Sequence, residues 1–285
     1  MSFLPPEKSQ IAATVIVFNR FDKLKDNIDT YISQIDKLYV VDNSDVDLTL
    51  GEKYFEEYPT IEYISNLGNP GVANALNTAA KKAFSDGYKF LLTLDDDSKA
   101  PSDIIRKMQV FLREHTDNSI GLVSVAHSDH KKGQVFRKVS FTMTSGNLLD
   151  LSVYNKVGTF NEDLFIDGVD TEYNLRLSTS GFDVVEISNL FLQHQLGKVE
   201  SFSVLGKKMF YVSHAPARYY YMVRNTIFLI RKYMKIKPFP VLKLFYILCK
   251  EIVKSSFIES EKKIRFSFFL KAINDSLTGN FGKLK

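Results

Sequence analysis

This chain of 285 residues has a single cysteine, Cys249, so no internal disulfide framework is open to it and its core must hold without covalent staples. It has no window of about eighteen uncharged apolar residues, the minimum for a spanning helix. The best stretch, 239–257, is interrupted by Lys243, Lys250, Glu251 and Lys254. No amino-terminal segment runs from basic to apolar to small residues as a secretory leader does, which leads to the expectation of a cytoplasmic protein. Internal repeats and low-complexity tracts are also missing. A composition of 45% apolar and 25% charged residues argues against disorder and suits one large α/β domain, alone or with an appendage.

The modest net charge of +4 hides a division along the chain. Residues 201–285 hold 17 Lys or Arg against 4 Asp or Glu, whereas residues 1–200 hold 20 against 29. An acidic body with a basic tail suggests two separate jobs.

Up to about Gln195, apolar runs alternate with helical patterns. Strands are expected at 11–18, 38–41, 61–64, 90–94, 121–126, 139–143, 183–187 and 191–193. Helices are expected at 21–33, 71–84, from Pro101–Ser102 onward, and at 169–180. The helix from Gly71 is the clearest, since Val72, Ala75, Leu76, Ala79 and Ala83 recur at intervals of three and four before Gly87 stops it. Such alternation implies a doubly wound, mostly parallel sheet. Residues 127–138 read as a hairpin or mobile loop around Gly133, and 197–214 show no clear period. A long helix over 216–234 follows, broken by Pro238 and Pro240. Two further helices are expected at 241–256 and 262–277, with Gly279 and Gly282 loosening the end.

The most informative junction is Lys89–Ser98, KFLLTLDDDS, where a buried-strand pattern stops at three adjacent carboxylates. Ligands of open α/β sheets gather at the carboxyl ends of parallel strands. Asp95, Asp96 and Asp97 repel one another there unless a cation or hydrogen-bond donors offset the charge, and hard oxygen ligands suit magnesium or manganese. A solvated acidic turn capped by Asp97 or Ser98 is the competing explanation. Other strand ends are polar too: Phe18-Asn19-Arg20 and Asp42-Asn43-Ser44. In Asn66–Val72 two glycines permit close backbone approach, and a helix opening near Gly71 would direct its positive end at an anion. Asp167, Asp170 and Glu172 cluster at a helix start, where acidic residues are stabilising in any case.

These segments stand in order: VVDNS (40–44), NLGNPGVANALN (66–77), LDDDS (94–98), TSGN (144–147), LFIDGVDTEYNLRL (164–177) and HAPARYYYMVRN (214–225). As an ordered set they resemble the family-2 glycosyltransferases of GT-A fold, and within them the bacterial rhamnosyltransferase group, from about Ile11 to Tyr233. The resemblance implies a Rossmann-like, mostly parallel sheet flanked by helices over residues 1–214, with a helical extension over 215–285. It implies that Thr14, Phe18, Arg20, Asp42, Asn66, Gly68, Gly71, Asn74, Asp95, Asp96, Ser145 and Gly146 bind the nucleotide sugar. Asp95, Asp97 and His194 would hold a divalent metal, Mg2+ or Mn2+. Asp170 would be the general base of an inverting transfer. Because Val169 stands where many relatives carry a carboxylate, Asp167 is a rival base.

The implied donor is dTDP-β-L-rhamnose, with UDP-galactofuranose as the alternative, and the acceptor a polyprenyl-linked or other cell-envelope glycan. A non-catalytic sugar-binding or scaffold protein on the same fold is the reading from another class. The basic, aromatic tail favours an anionic membrane surface over nucleic acid, with Arg218 and Arg224 meeting a lipid-linked diphosphate. That gives a peripheral protein on the inner membrane face, with self-association left open.

Overall fold

The computed structural model describes residues 10–19, 21, 23–45, 54–115, 119–126, 134–193, 198–204 and 207–284. Strands β1 (Ile11–Val17), β2 (Lys37–Asp42), β3 (Ile61–Ser65), β4 (Phe90–Asp95), β5 (Ile120–Val125), β6 (Phe136–Lys138), β7 (Asn147–Asp150) and β8 (Asp183–Ile187) form one sheet in the order β3-β2-β1-β4-β7-β5-β8-β6. Pairings are parallel except for those of β7 with β4 and β5, and of β6 with β8. Helices α1 (Leu24–Ile28), α2 (Val72–Ser85), α3 (Ile104–Glu114), α4 (Leu151–Val157) and α5 (Val169–Thr179) cover it. Beyond it come a hairpin, β9 (Lys198–Val204) with β10 (Lys207–Ser213), and helices α6 (Pro216–Tyr233), α7 (Pro238–Phe257) and α8 (Lys262–Thr278).

Both faces of the sheet are covered, which is why its strands read as continuous apolar runs. Ile11, Ala13, Val15 and Val17 of β1 pack with Leu24 and Ile28 of α1 and with Ile104, Met108 and Phe111 of α3. Ala12, on the opposite face, joins Ala73, Leu76 and Ala80 of α2 with Leu151 and Tyr173. The three C-terminal helices build a separate cluster around Tyr219, Tyr220, Tyr221, Leu248 and Ala272, into which Phe165 of the main domain inserts.

Several expectations need correction. The helix expected at 21–33 is a short α1 followed by a 3-10 turn over Ile32–Gln34. No strand forms over 139–143: Thr142 donates or accepts through its hydroxyl with Ser124 Oγ at 2.6 Å, and its carbonyl takes Asn174 Nδ2 at 3.0 Å, so side chains replace the ladder there. The segment 191–193 makes only an isolated bridge, Lys99 with Gln193. Residues 198–204 and 207–213, which lacked a period, pair as β9 and β10. The helix expected from 241 begins at Pro238 instead, with both prolines in the first turn of α7, where the missing amide costs nothing. The chain end is pinned, not loosened: Gly282 N donates to Asp163 O (2.7 Å) and Leu284 N to Tyr221 Oη (2.6 Å).

One buried amide joins three elements. Asn77 of α2 accepts from Tyr154 Oη (2.9 Å) and Phe160 N (2.8 Å), and donates to Phe160 O (2.9 Å) and Glu162 Oε1 (2.7 Å). Asn77→Ala strands these groups away from water, so we expect a loss of about 2–4 kcal/mol, since each unsatisfied buried group costs roughly 1–3 kcal/mol. A urea midpoint unchanged within error would contradict it.

Candidate active site

Register places two of the aspartates together. Val17 of β1 pairs with Asp42 on one side, and Ile16 pairs with Asp95 on the other, so both carboxylates end at the same sheet edge. With strands about 4.8 Å apart, their backbones lie roughly 10 Å from one another. Asp42 is buried; its Oδ2 accepts from Tyr63 Oη (2.5 Å) and its Oδ1 from Ser44 N (2.8 Å). Phe18 stands exposed at the end of β1. Thr14 is a correction: its side chain is fully enclosed and donates to Tyr39 O at 3.0 Å, so it braces two strands and offers nothing to a base. Arg20 lies outside the described residues.

The acidic turn after β4 is held from below. Ser145 Oγ accepts from Asp95 N at 3.0 Å and meets Ser98 Oγ at 2.8 Å, while Asn27 Nδ2 donates to Asp96 O at 2.7 Å. Ser98 N closes the turn on Asp95 O. Ser145 is buried, and Gly146 N donates to Thr93 O at 2.7 Å at the start of the β7 pairing. A Cβ on Gly146 would sit 2.6 Å from Val125. These two residues therefore shape the turn that carries the carboxylates. The signal available in the sequence was Ser98 itself, directly after the carboxylates; Asn27 gave none.

The Asn66–Asn77 segment is tied by amides. Asn66 Nδ2 donates to Asn43 Oδ1 (2.8 Å), Asn43 Nδ2 to Gly71 O (3.0 Å) and Asn74 Nδ2 to Glu162 Oε2 (2.9 Å). The bonds from Asn74 and Asn77 hold the Glu162 carboxyl below its usual range. Gly71 is needed for the protein's own packing: a Cβ there would meet Phe165 O at 2.6 Å, and Val72 N donates to that oxygen at 2.7 Å. The first amides of α2 are thus partly spent, on Phe165 O and, through Gly71 N, on Asn69 Oδ1. Gly68, by contrast, has open space around it.

Asp167 and Asp170 flank the start of α5. Arg218 of α6 grips Asp167, with Nε 3.2 Å from both carboxylate oxygens and Nη2 3.1 Å from Oδ1. Burial works against the Arg218 charge, yet Asp167, Asp95 and Asp170 together hold its pKa above the ordinary guanidinium value. This one cation therefore senses the carboxylates of both the β4 turn and the α5 start. Among the described residues Asp170 has no such ion pair. Burial, with the nearby Asp167 charge adding to it, pushes its carboxyl up to about 6 against the pull of Thr171 N and Oγ1. Glu172, the third acid, is committed to Arg176, Lys232 and Tyr233.

Arg224 is a second correction, because its guanidinium is only 1% exposed and donates to the carbonyls of Asp163, Leu164 and Gly282. It cannot meet an acceptor. Its neighbour Asn225, not singled out by sequence reasoning, binds the same loop.

Among the described residues no three His, Cys, Asp or Glu side chains converge as a metal-holding group. The donor set that is present fits a hard divalent ion nonetheless: Asp95 and Asp97 offer carboxylate oxygens one residue apart on a rigid turn, and Mg2+ ordinarily takes one or two carboxylates with phosphates and water. His194 lies outside the described residues; Gln193, just before it, is bonded to Lys99 at 2.9 and 3.0 Å.

The profile described as Glycosyl transferase family 2 matches residues 13–164. Across 294 positions the chain is 26% identical to dTDP-rhamnosyl transferase RfbF of Shigella flexneri, with 95% of each covered. It is similar in structure to S. aureus TarS 1-349 in complex with UDP-GlcNAc, at TM-score 0.63 and 12% identity over 94% of this chain and 81% of that one. It also resembles GalNAc-T7 with UDP, GalNAc and Mn2+, at TM-score 0.62 and 11% identity over 97% and 59%. The chain spans 49% of the longer TarS chain. The shared fold is GT-A.

The raised Asp170 pKa has a stability consequence. Its folded pKa of about 6 exceeds the unfolded value, so the fold binds the proton more tightly, and the stability gained at low pH is lost as pH rises through about 6. Asp170→Asn removes that loss. Thermal unfolding should find the variant more stable than the parent at pH 8, with the advantage gone near pH 4; a pH-independent difference would count against this enclosure.

Proposed function

Because the chain belongs to glycosyl transferase family 2, we propose that it moves L-rhamnose from dTDP-β-L-rhamnose to a hydroxyl of a glycan acceptor, giving an α-L-rhamnoside by inverting displacement. The donor is inferred from the end-to-end likeness to the Shigella flexneri dTDP-rhamnosyl transferase. The observation that carries the chemistry is the contrast between two neighbouring carboxylates: Asp167 is committed to Arg218, and Asp170, without a cation of its own, is held near a pKa of about 6.

Asp170 is therefore the general base. At neutral pH it is ionised yet more basic than an ordinary aspartate, as a proton acceptor should be. As the acceptor oxygen attacks the anomeric carbon, its proton passes to an Asp170 carboxylate oxygen. The bond from that carbon to the diphosphate oxygen breaks on the opposite face, and dTDP leaves with the electron pair. Asp42 and Phe18 receive the nucleoside end, with Asn66, Gly68 and Asn74 bordering it. Asp95, Asp97 and His194 would hold Mg2+ or Mn2+, whose charge would offset that of the departing diphosphate. Arg218, placed near Asp95 and Asp170, supplies fixed positive charge between donor and acceptor.

Residues 1–214 make up the catalytic unit and 215–285 the extension that meets a lipid-linked acceptor at the inner membrane face. Among the described residues no helix is long and apolar enough to cross a membrane. Adsorption is supported by Phe239 (83% exposed) and Phe257 (75%) at the ends of α7 and by Phe266 on α8, set among lysines.

Two experiments test these readings. With a panel of nucleotide sugars and manganese, slow hydrolysis of dTDP-rhamnose above all others is expected; Asp170→Asn should lower turnover by about two to four orders of magnitude while calorimetry finds donor affinity nearly unchanged. Full activity in that variant would remove Asp170 from the mechanism. Sedimentation with anionic vesicles should fall when Phe239→Glu and Phe257→Glu are combined, and equal binding would leave these helices without the proposed role.

A further inference from the structure

We propose that Asn225 is a positioning residue for the transfer: by fixing the backbone of residues 164–168 it sets where the Asp170 carboxylate lies. The inference rests on Asp170 being the base. One side-chain amide serves three carbonyls, Nδ2 donating to Leu164 O (2.9 Å), Ile166 O (2.8 Å) and Asp167 O (2.7 Å), while its Oδ1 accepts from Arg224 Nε at 2.9 Å. The segment it holds follows a path the chain would not keep alone. Phe165 has φ 63°, Asp167 59° and Gly168 81°, all in the left-handed region that side chains with a Cβ avoid.

The grip continues along one face of α6. Arg218 and Asn225 are seven residues apart, two turns of helix, and so point the same way. Arg218 takes the Asp167 carboxylate while Asn225 takes the Asp167 carbonyl. A Cβ built on Gly168 would lie 3.5 Å from both Asn225 and Leu229, so the helix passes directly over the entry to α5. Further along, Lys232 and Tyr233 bind Glu172 on α5, at 2.9 and 2.8 Å. Asp170 sits between these fixed points, at the second residue of α5. The charged groups acting around it are Asp167 on its own loop and Arg218 from α6, with Asp95 of β4 felt by the same Arg218. The nucleoside end of the site is held chiefly by other bonds, Tyr63 to Asp42 and Asn66 to Asn43, and its link to this loop is the Phe165 carbonyl, a backbone atom that Asn225 does not bind. Loss of Asn225 should therefore damage turnover and spare donor binding.

The test is steady-state donor hydrolysis by the full chain carrying Asn225→Ala, compared at a temperature where circular dichroism finds it folded. A turnover loss of about 100-fold, the scale of a 1 Å misplacement, is expected with donor KM within about twofold, and the acid limb of the pH–turnover profile should move away from its parental position. Asn225→Ser, which keeps one donor, should recover part of the loss; it also carries the comparison if the alanine variant does not fold. Parental turnover with an unmoved acid limb would overturn the inference, as would equal losses in turnover and donor affinity. If Asp170→Asn is inactive while Asn225→Ala behaves as the parent, only the positioning role fails. Full activity of Asp170→Asn would instead remove the base reading on which it stands.

Discussion

The structure turns on a strained loop held by hydrogen bonds from a helix that is distant in sequence. Residues in sparsely populated backbone regions cost about 1–3 kcal/mol each and persist only where their surroundings over-determine them. Phe165 and Asp167, with Ile166 between them, are two such residues just before Gly168. Arg224 and Asn225 offset that cost with six bonds to main-chain carbonyls of residues 163–167 and Gly282. The path so fixed brings the Phe165 carbonyl to Val72 N and its ring onto Tyr221, so that the start of α2, the loop and the C-terminal helices become one packed unit. Gly71 is glycine for the same reason, since any side chain there would strike Phe165.

The donor edge is built by different means. Two parallel strands deliver Asp42 and Asp95 on either side of β1, and the turn beyond Asp95 rests on two buried serine hydroxyls and the Asn27 amide. Nothing in that turn is left-handed among the described residues. Rigid strand ends suit the proposed task of holding a diphosphate. A carboxylate proposed to take a proton needs partial enclosure instead, and Asp170, half-buried just after the strained loop, has it: burial dominates its upward shift.

The central parallel strands and α2 were legible because each buries a continuous or strictly periodic apolar set. Ala73, Ala75, Leu76, Ala79, Ala80 and Ala83 are all buried, and the run before Asp95 ends where the strand ends. Short antiparallel elements were not. β7 is four residues long and carries no turn signal of its own between Gly146 and α4, and β9 and β10 expose residues on both faces, including Val199, Met209 and Phe210. The site was legible in its residue types but not in their directions. Ser145, Thr14, Gly71 and Arg224 have the chemistry of ligand contacts, yet each is turned inward onto main-chain atoms or neighbouring packing. A polar residue near a strand end serves either purpose, and only the fold decides which carbonyl needs it.

The charge division along the chain acquires a physical meaning from this arrangement. Part of the basic tail is consumed internally: Arg218 by Asp167, Arg224 by carbonyls, Lys232 by Glu172, Arg265 by Glu259 and the His214 carbonyl. These cations cross to the acidic body or brace the helices that do. Lys254 is likewise paired with Glu251 and Lys271 with Asp275, while Lys243, Lys250, Lys262 and Lys263 stand exposed on helices that also expose Phe245, Tyr246, Phe257 and Phe266. A single helix, α6, separates the two populations: its inner face holds the base loop, and its outer contacts carry α7 and α8. Tyr220 ties it to Asp275 and Arg231 to Ser276 O, so a force applied to the outer helices reaches the loop through α6, beside the direct bond from Gly282 N to Asp163 O. On the proposed function the extension becomes a mechanical part of the active site, and an acceptor engaged on those helices would be registered against Asp170 by the same helix that grips the loop before it.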